Sequence, residues 1–175
     1  YLAQVDGDFV GVRDEMLRTI NAKKKITTDQ KRKMSPFITI QLFRTRAFRE
    51  VLIKFVGKQV KTSLGIEFPG EGMESLEHAR FVFAPGLLEH SCLALTNYIW
   101  IVGINKTKQP LYTSDTPVVG RPHKSTLAGL DSEGVEICFP LTPKCLLILL
   151  ERNYFEGYKR FDCKVHPLST EQVRY

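Results

Sequence analysis

The stretch Phe37-Ile38-Thr39-Ile40-Gln41-Leu42-Phe43-Arg44-Thr45 sets an amide and a guanidinium among apolar side chains. On a helical wheel drawn at about 100° per residue from Phe37 to Val56, Phe37, Ile40, Phe48, Val51, Leu52 and Phe55 gather on one face, with Arg46 and Glu50 opposite. Gln41 and Arg44 fall in the middle of the apolar face. A guanidinium taken out of water costs several kcal/mol unless an acid or carbonyl satisfies it, so Arg44 is expected to have a specific partner or to line a polar cavity. A structural ion pair fixing helix packing meets the same requirement. Downstream, Tyr112-Thr113-Ser114-Asp115-Thr116-Pro117 follows an apolar run with hydroxyls and one carboxylate, groups that a strand end can present into a cleft. Turn chemistry explains the same residues, since Thr, Ser and Asp bond their own backbone. If the two clusters belong together, Arg44 lies close to Asp115, directly or through one water.

Other constellations carry less. Asp115 with Asp162-x-Lys164 loosely evokes the acids and lysine of metal-dependent nucleases, in which carboxylates hold Mg²⁺ and the lysine steadies a phosphate. In a chain with 25 basic and 19 acidic residues such a triplet arises easily by chance. Ser114 and His123 invite a nucleophile-and-base reading, but no Gly-x-Ser-x-Gly elbow is present and Gly120-Arg121-Pro122-His123 reads as a loop. His78, His90, His123 and His166 show no short metal-ligand spacing, so no metal site is expected, and any cofactor is left unknown. No phosphate-binding glycine motif occurs. Lys23 to Lys25, Lys31 to Lys33, Arg46, Arg49, Lys54, Lys58 and Lys61 could meet phosphates, although no aromatic residue alternates with these lysines to stack bases.

The elements that must position these residues divide the chain. Asp6 or Asp8 can cap a first helix carrying Phe9, Val12, Met16, Leu17 and Ile20 at helical spacing. Thr27 with Gln30 reads as a capping box opening a second helix, with a kink or restart at Ser35-Pro36 and a helical pattern to Lys61. Leu64 to Gly72 reads as a loop before a helix starting near Glu74 or Ser75, which Pro85-Gly86 should bend or split. From Asn97 the pattern becomes stranded: Tyr98 to Ile104 pairing with Leu111 to Thr113 as a hairpin, then Val135 to Phe139, Cys145 to Leu150, and Arg160 to Val165. Ser169 and Gln172 read as a last capping box, so residues 168–175 are expected to begin a helix that is cut short. The expectation is a single α+β domain over 1–175, mainly helical in 1–95 and mainly stranded in 96–167. Its N-terminal helices should pack on one face of a largely antiparallel C-terminal sheet.

Composition agrees with one ordinary globular domain of 175 residues, 43% hydrophobic and 25% charged. The net charge of +6 is uneven: 14 Lys and Arg face 6 Asp and Glu up to Thr62, against 11 and 13 beyond it. An acidic partner should therefore meet the helical half. Cys92, Cys138, Cys145 and Cys163 are widely spaced and read as reduced thiols. The longest apolar run, Cys145 to Leu150, is far too short to span a bilayer, so no membrane partner is expected.

The motifs resemble those of one family, domain of unknown function 4238. Its members show a helical Gln-x-x-Arg-Thr segment, matched by Gln41 to Thr45, and Thr-Ser-Asp-x-Pro-Val, matched by Thr113 to Val118. The latter follows a Trp-containing strand, here Asn97-Tyr98-Ile99-Trp100, and precedes Phe-Pro-Leu-Thr/Ser-Pro, here Phe139 to Pro143. The match extends from about Val5 to about Val173. The family's usual opening, a His-Tyr-Val-Pro-like segment and a strand, is absent, so Tyr1 is expected to follow a missing segment. The resemblance implies a bacterial protein of unassigned activity, and the expected location is cytoplasmic. The leading expectation is a ligand, an unknown small molecule, held in a polar cleft between the long helix and the sheet by Gln41, Arg44, Thr45, Thr113, Ser114 and Asp115. The alternatives are a nucleic-acid-binding protein or metal-dependent nuclease using the basic helical half, and a non-catalytic oligomerisation or interaction module.

Overall fold

The computed structural model describes residues 2–45, 85–112, 116–124 and 129–169. The first helix, α1 (Leu2–Asn21), already includes the positions of Asp6 and Asp8, so neither acid caps it. Its three-and-four spacing buries Met16 and Ile20 in the core, with Phe9, Val12 and Leu17 packed beside them. The chain then turns through Lys23 at φ 55° and enters α2 (Thr28–Phe43) through the expected capping box. The Gln30 backbone N–H donates to Thr27 Oγ1 and the Thr27 N–H donates to Gln30 Oε1, both at 3.1 Å. Two of the helix's free donors are thereby satisfied.

The second helix continues through Pro36 without restarting. Proline supplies no N–H to the ladder, and one residue earlier the Ser35 hydroxyl donates back to the Lys31 carbonyl at 2.8 Å. Described helix ends at Phe43, with Arg44 as its C-cap. The expected continuation to Lys61, the loop from Leu64 to Gly72 and the helix start near Glu74 lie outside the described residues. The next described helix, α3 (Pro85–Asn97), has Pro85 as its first residue, where a missing N–H costs nothing.

Among the described residues, β1 (Ile99–Asn105), β2 (Val119–Pro122), β3 (Val135–Thr142), β4 (Cys145–Leu150) and β5 (Lys164–Leu168) form one sheet in the order β2-β3-β4-β1-β5. The pairs β2/β3, β3/β4 and β4/β1 are antiparallel, whereas β5 lies parallel to β1. The fold is α+β with a mixed, mostly antiparallel sheet. Three expectations are corrected. Leu111 and Tyr112 are not in a strand and form no hairpin with β1, which pairs instead with β4 and β5. The segment Gly120 to Pro122, read as a loop, belongs to edge strand β2. The run Arg160 to Val165 is also split, between a 3-10 turn (Glu156–Phe161) and β5.

The described helices cover one face of the sheet. Met16, Ile20, Met34, Ile38 and Leu95 meet Trp100, Val102, Ile137, Phe139, Leu147 and Leu149 in a continuous core. On the other face, Ile99, Ile101 and Leu150 are buried with Ile148, Phe155 and Phe161 packed against them. Strand alternation produces this division, since successive side chains point to opposite faces.

Candidate functional site

The most strongly constrained polar group in the described structure joins α2 to the far end of the chain. Lys31 lies three and seven residues before Met34 and Ile38, on the same buried stripe of α2, and is only 4% exposed. Its ammonium donates to Asp162 Oδ1 at 2.8 Å and to the Tyr98 carbonyl at 3.0 Å, and sits 5.8 Å from the centre of the Trp100 ring. Asp162 Oδ1 also accepts the Trp100 backbone N–H at 2.9 Å, and Oδ2 accepts from the Arg152 guanidinium at 2.6 Å. Arg152 Nε in turn holds the Asn97 carbonyl at 2.7 Å. Burial alone would raise the Asp162 carboxyl, but the Lys31 ammonium, the Trp100 N–H and Arg152 outweigh it and hold the group down to about 2. Next to it, Cys163 adopts φ 62°, an uncommon conformation for a residue with a side chain. Its N–H donates to the Trp100 carbonyl at 2.6 Å and its carbonyl accepts the Ile26 N–H at 3.2 Å, which ties the α1-α2 turn to β1. Asp162 is thus fully engaged as a clasp. This occupation of both oxygens leaves little for the metal-holding role in the nuclease reading.

A second buried acid works locally. Glu151 is 7% exposed and accepts backbone N–H groups from Asn153 at 2.7 Å, Tyr154 at 2.9 Å and Gly134 at 3.2 Å. Burial pushes its carboxyl up, and those three donors, with Lys124 nearby, bring it below its ordinary value. Gly134 itself takes φ 83°, which suits glycine and brings its N–H to the carboxylate. Buried Asn105 plays the matching part at the other end of the sheet. Its amide donates to the Gln109 carbonyl at 2.6 Å while its oxygen accepts the Thr107 N–H at 2.9 Å, closing the loop after β1.

That loop leads into the segment containing Thr113, Ser114 and Asp115, which lie outside the described residues. The residues around it are anchored: the Leu111 N–H donates to the Pro143 carbonyl at 2.8 Å, and Val118 is buried in the helix-side core. A Cβ placed on Gly120 would lie 3.9 Å from Leu42 Cδ2, which brings the last turn of α2 beside the start of β2. Phe9 bridges Phe37 and Phe139, with ring centroids 5.5 and 5.7 Å away. The last turn of α2 therefore lies beside the start of β2, and Phe9 links the middle of α2 to Phe139 of β3.

Gln41 is half-buried in the last turn of α2. Arg44 is exposed, not held on a buried apolar face. The wheel assumed one uninterrupted helix through Arg44, whereas the described helix stops at Phe43 and Arg44 caps it, its N–H donating to the Ile40 carbonyl at 3.0 Å. A cation at a helix C-terminus also meets the negative end of the dipole. Thr45 is half-buried and its hydroxyl donates to the Leu42 carbonyl at 2.8 Å. The expected pairing of Arg44 with Asp115 falls on a residue outside the described set.

The remaining candidates resolve as follows. His123 Nε2 lies 2.7 Å from Glu136 Oε2, with its ring edge-on to Phe155. Burial, then Glu136, pushes the Cys138 thiol up to about 12, and burial pushes Cys145 up to about 11. Cys92 and Cys163 are also raised by burial, so none of the four thiols is poised as a thiolate. Within the basic helical half, Lys31 is buried in the clasp and Lys33 pairs with Asp29 and Glu15. Among the described residues, no group of three or more His, Cys, Asp or Glu side chains comes together as a metal site. Sequence reasoning missed Lys31, Glu151 and Asn105 as organising groups. For Lys31 the signal was present, since it shares the apolar stripe of Met34 and Ile38.

These features define an α+β domain with helices on one face of a mixed, mostly antiparallel sheet and the last turn of α2 beside the start of β2. Over its whole length, residues 1–175, the chain matches the family described as Protein of unknown function (DUF4238), and it belongs to that family. No curated protein and no solved structure matches the chain.

Proposed function

We propose that the protein binds a small polar ligand at the sheet end where the last turn of α2 approaches β2, using Gln41, Arg44, Thr45 and the Thr113-Ser114-Asp115 segment. The observation that carries this reading is the approach of the last turn of α2 to the start of β2. Leu42 lies against the Gly120 position, Leu111 is bonded to Pro143, and Phe9 links Phe37 to Phe139. These contacts come from apolar and backbone groups, and the half-buried amide of Gln41 and the exposed guanidinium of Arg44 stand at the same end of α2, a few polar groups beside an apolar surface as ligand sites have. Arg44 suits a carboxylate or phosphate because its planar fork matches either group with two hydrogen bonds.

The family resemblance and the four free thiols support placing the protein in the bacterial cytoplasm. No helix among the described residues is long and apolar enough to cross a membrane. Native mass spectrometry of the protein purified under non-denaturing conditions tests the ligand. A bound small molecule should be retained by the wild type, lost from Arg44→Met and weakened in Gln41→Ala. A wild type carrying no small molecule from cell extract, or an Arg44→Met variant retaining it fully, would overturn the reading.

A further inference from the structure

The second face of the sheet carries an arrangement that ligand binding at the α2 end does not use. Six rings run in sequence across it, from the end of edge strand β2 to the opposite edge strand β5. His123 lies 5.2 Å from Phe155 and 6.1 Å from Tyr154, centroid to centroid. Tyr154 and Phe155 are 4.9 Å apart, Phe155 and Tyr158 6.2 Å, Tyr158 and Phe161 6.2 Å, and Phe161 and His166 4.5 Å. Two of these rings have a packing role, since Phe155 and Phe161 sit against the buried cluster of Ile99, Ile101 and Leu150. Tyr154 and Tyr158 do not share it. They stand 44% and 50% exposed, and among the described residues neither hydroxyl has a hydrogen-bond partner.

Two cations beside this strip stand apart from its acids. Most neighbouring acids are already engaged: Glu156 holds Lys159, Glu133 holds Lys124, Asp162 holds Lys31 and Arg152, Glu136 bonds the His123 ring, and Glu151 accepts three backbone N–H groups. Arg160 lies 4.7 Å from the centre of the Phe161 ring, and Lys164 is paired in register with Ile101, so it shares the face on which the strip lies. Among the described residues, neither Arg160 nor Lys164 has a carboxylate partner. Exposed rings beside unneutralised cations provide both elements needed by a flexible polyanion with flat bases: faces for stacking and charges that follow a backbone. An acidic peptide would use the cations alone, and a duplex keeps its bases stacked within itself and away from the rings.

We propose that this strip, centred on Tyr154 and Tyr158 and flanked by Arg160 and Lys164, is a binding surface for single-stranded nucleic acid. The bases stack on the two tyrosines and the phosphates meet the two cations. Recognition is tolerant of sequence, because every base has a face to stack.

Fluorescence anisotropy with labelled oligouridylate and oligothymidylate, a matched duplex, and polyglutamate as competitor tests the proposal on the full chain at low and moderate salt. Single strands should bind at low salt and weaken as salt rises. Tyr154→Ser and Tyr158→Ser should each lower affinity by roughly tenfold, while Tyr158→Phe, which keeps the ring, should bind like the wild type. Arg160→Gln with Lys164→Gln should lower both affinity and the salt slope. Circular dichroism of each variant shows whether it has folded. No binding of single strands at low salt would overturn the proposal. So would duplex binding of equal strength, tyrosine variants that fold yet bind unchanged, or polyglutamate competing as well as oligonucleotide.

Discussion

Lys31 in the first turns of α2 and Asp162 at the close of the 3-10 turn, 131 residues apart in sequence, meet through a 2.8 Å contact between ammonium and carboxylate. The lysine is almost fully buried, and the acid also takes the Trp100 N–H and Arg152. Replacing Lys31 with methionine leaves a part-buried carboxylate with the Trp100 N–H, Arg152 and the weak Cys163 thiol as donors. The expected loss in chemical denaturation is about 3 kcal/mol, the low end for breaking a buried pair. Lys33→Met, which removes exposed pairs to Asp29 and Glu15, should leave the curve almost unchanged. Coincident curves for the two variants would mean that the clasp contributes nothing.

The same carboxylate sets an acid sensitivity. Its folded value is held to about 2, below the ordinary 3.8. A group lowered by folding contributes stability that is complete above the unfolded value and disappears as pH falls through the folded one. Stability should therefore drop between about pH 4 and pH 2, with the lowered Glu151 adding a loss of the same sign. Urea midpoints across this range should fall less steeply for Asp162→Asn than for the wild type. Parallel slopes for the two proteins would remove Asp162 as the cause.

Gly103 is fixed by its neighbour on β5. A Cβ there would lie 2.5 Å from Leu168 Cδ2, 2.8 Å from Cγ and 2.9 Å from Cδ1, and Leu168 is itself buried. Cγ is not the free end of the side chain, so a rotation of one methyl does not clear the space. Gly103→Ala should cost roughly 1–3 kcal/mol, the range for overpacking. In combination with Leu168→Ala the two losses should be less than additive, because the smaller partner makes room. Strict additivity in the denaturation cycle would show that the two side chains do not compete.

Local chemistry was readable from the sequence wherever a few adjacent residues decide the outcome. The Thr27-Gln30 box needs only its own four residues, and both of its bonds are present. The strands Val135 to Phe139 and Cys145 to Leu150 were legible because their apolar patterns are short, dense and bounded by prolines or charge. Pairing partners were not. β2 consists of Val-Gly-Arg-Pro with every residue exposed, a pattern that edge position permits and a strand search discards. The parallel placement of β5 beside β1 depends on Asp162 and Cys163 bonding to Trp100, contacts across about sixty residues that no local pattern encodes. At the candidate ligand end, the Gln41-to-Thr45 segment was legible as a motif. The exposure of Arg44 was not, because a wheel cannot show where the helix stops.

The long reach of the clasp has a consequence for synthesis on the ribosome. Helices α1 and α2 and the strands β1 to β4 emerge before the segment that supplies Asp162 and β5. Until then, among the described residues, Lys31 has an acceptor only in the Tyr98 carbonyl, and the β5-facing edge of β1 lacks its neighbouring strand. The nascent chain thus passes through a stage with a charged group on an apolar helix stripe and an open sheet edge, both sealed together when the last strand is released. That stage is where a holding chaperone would find its surface.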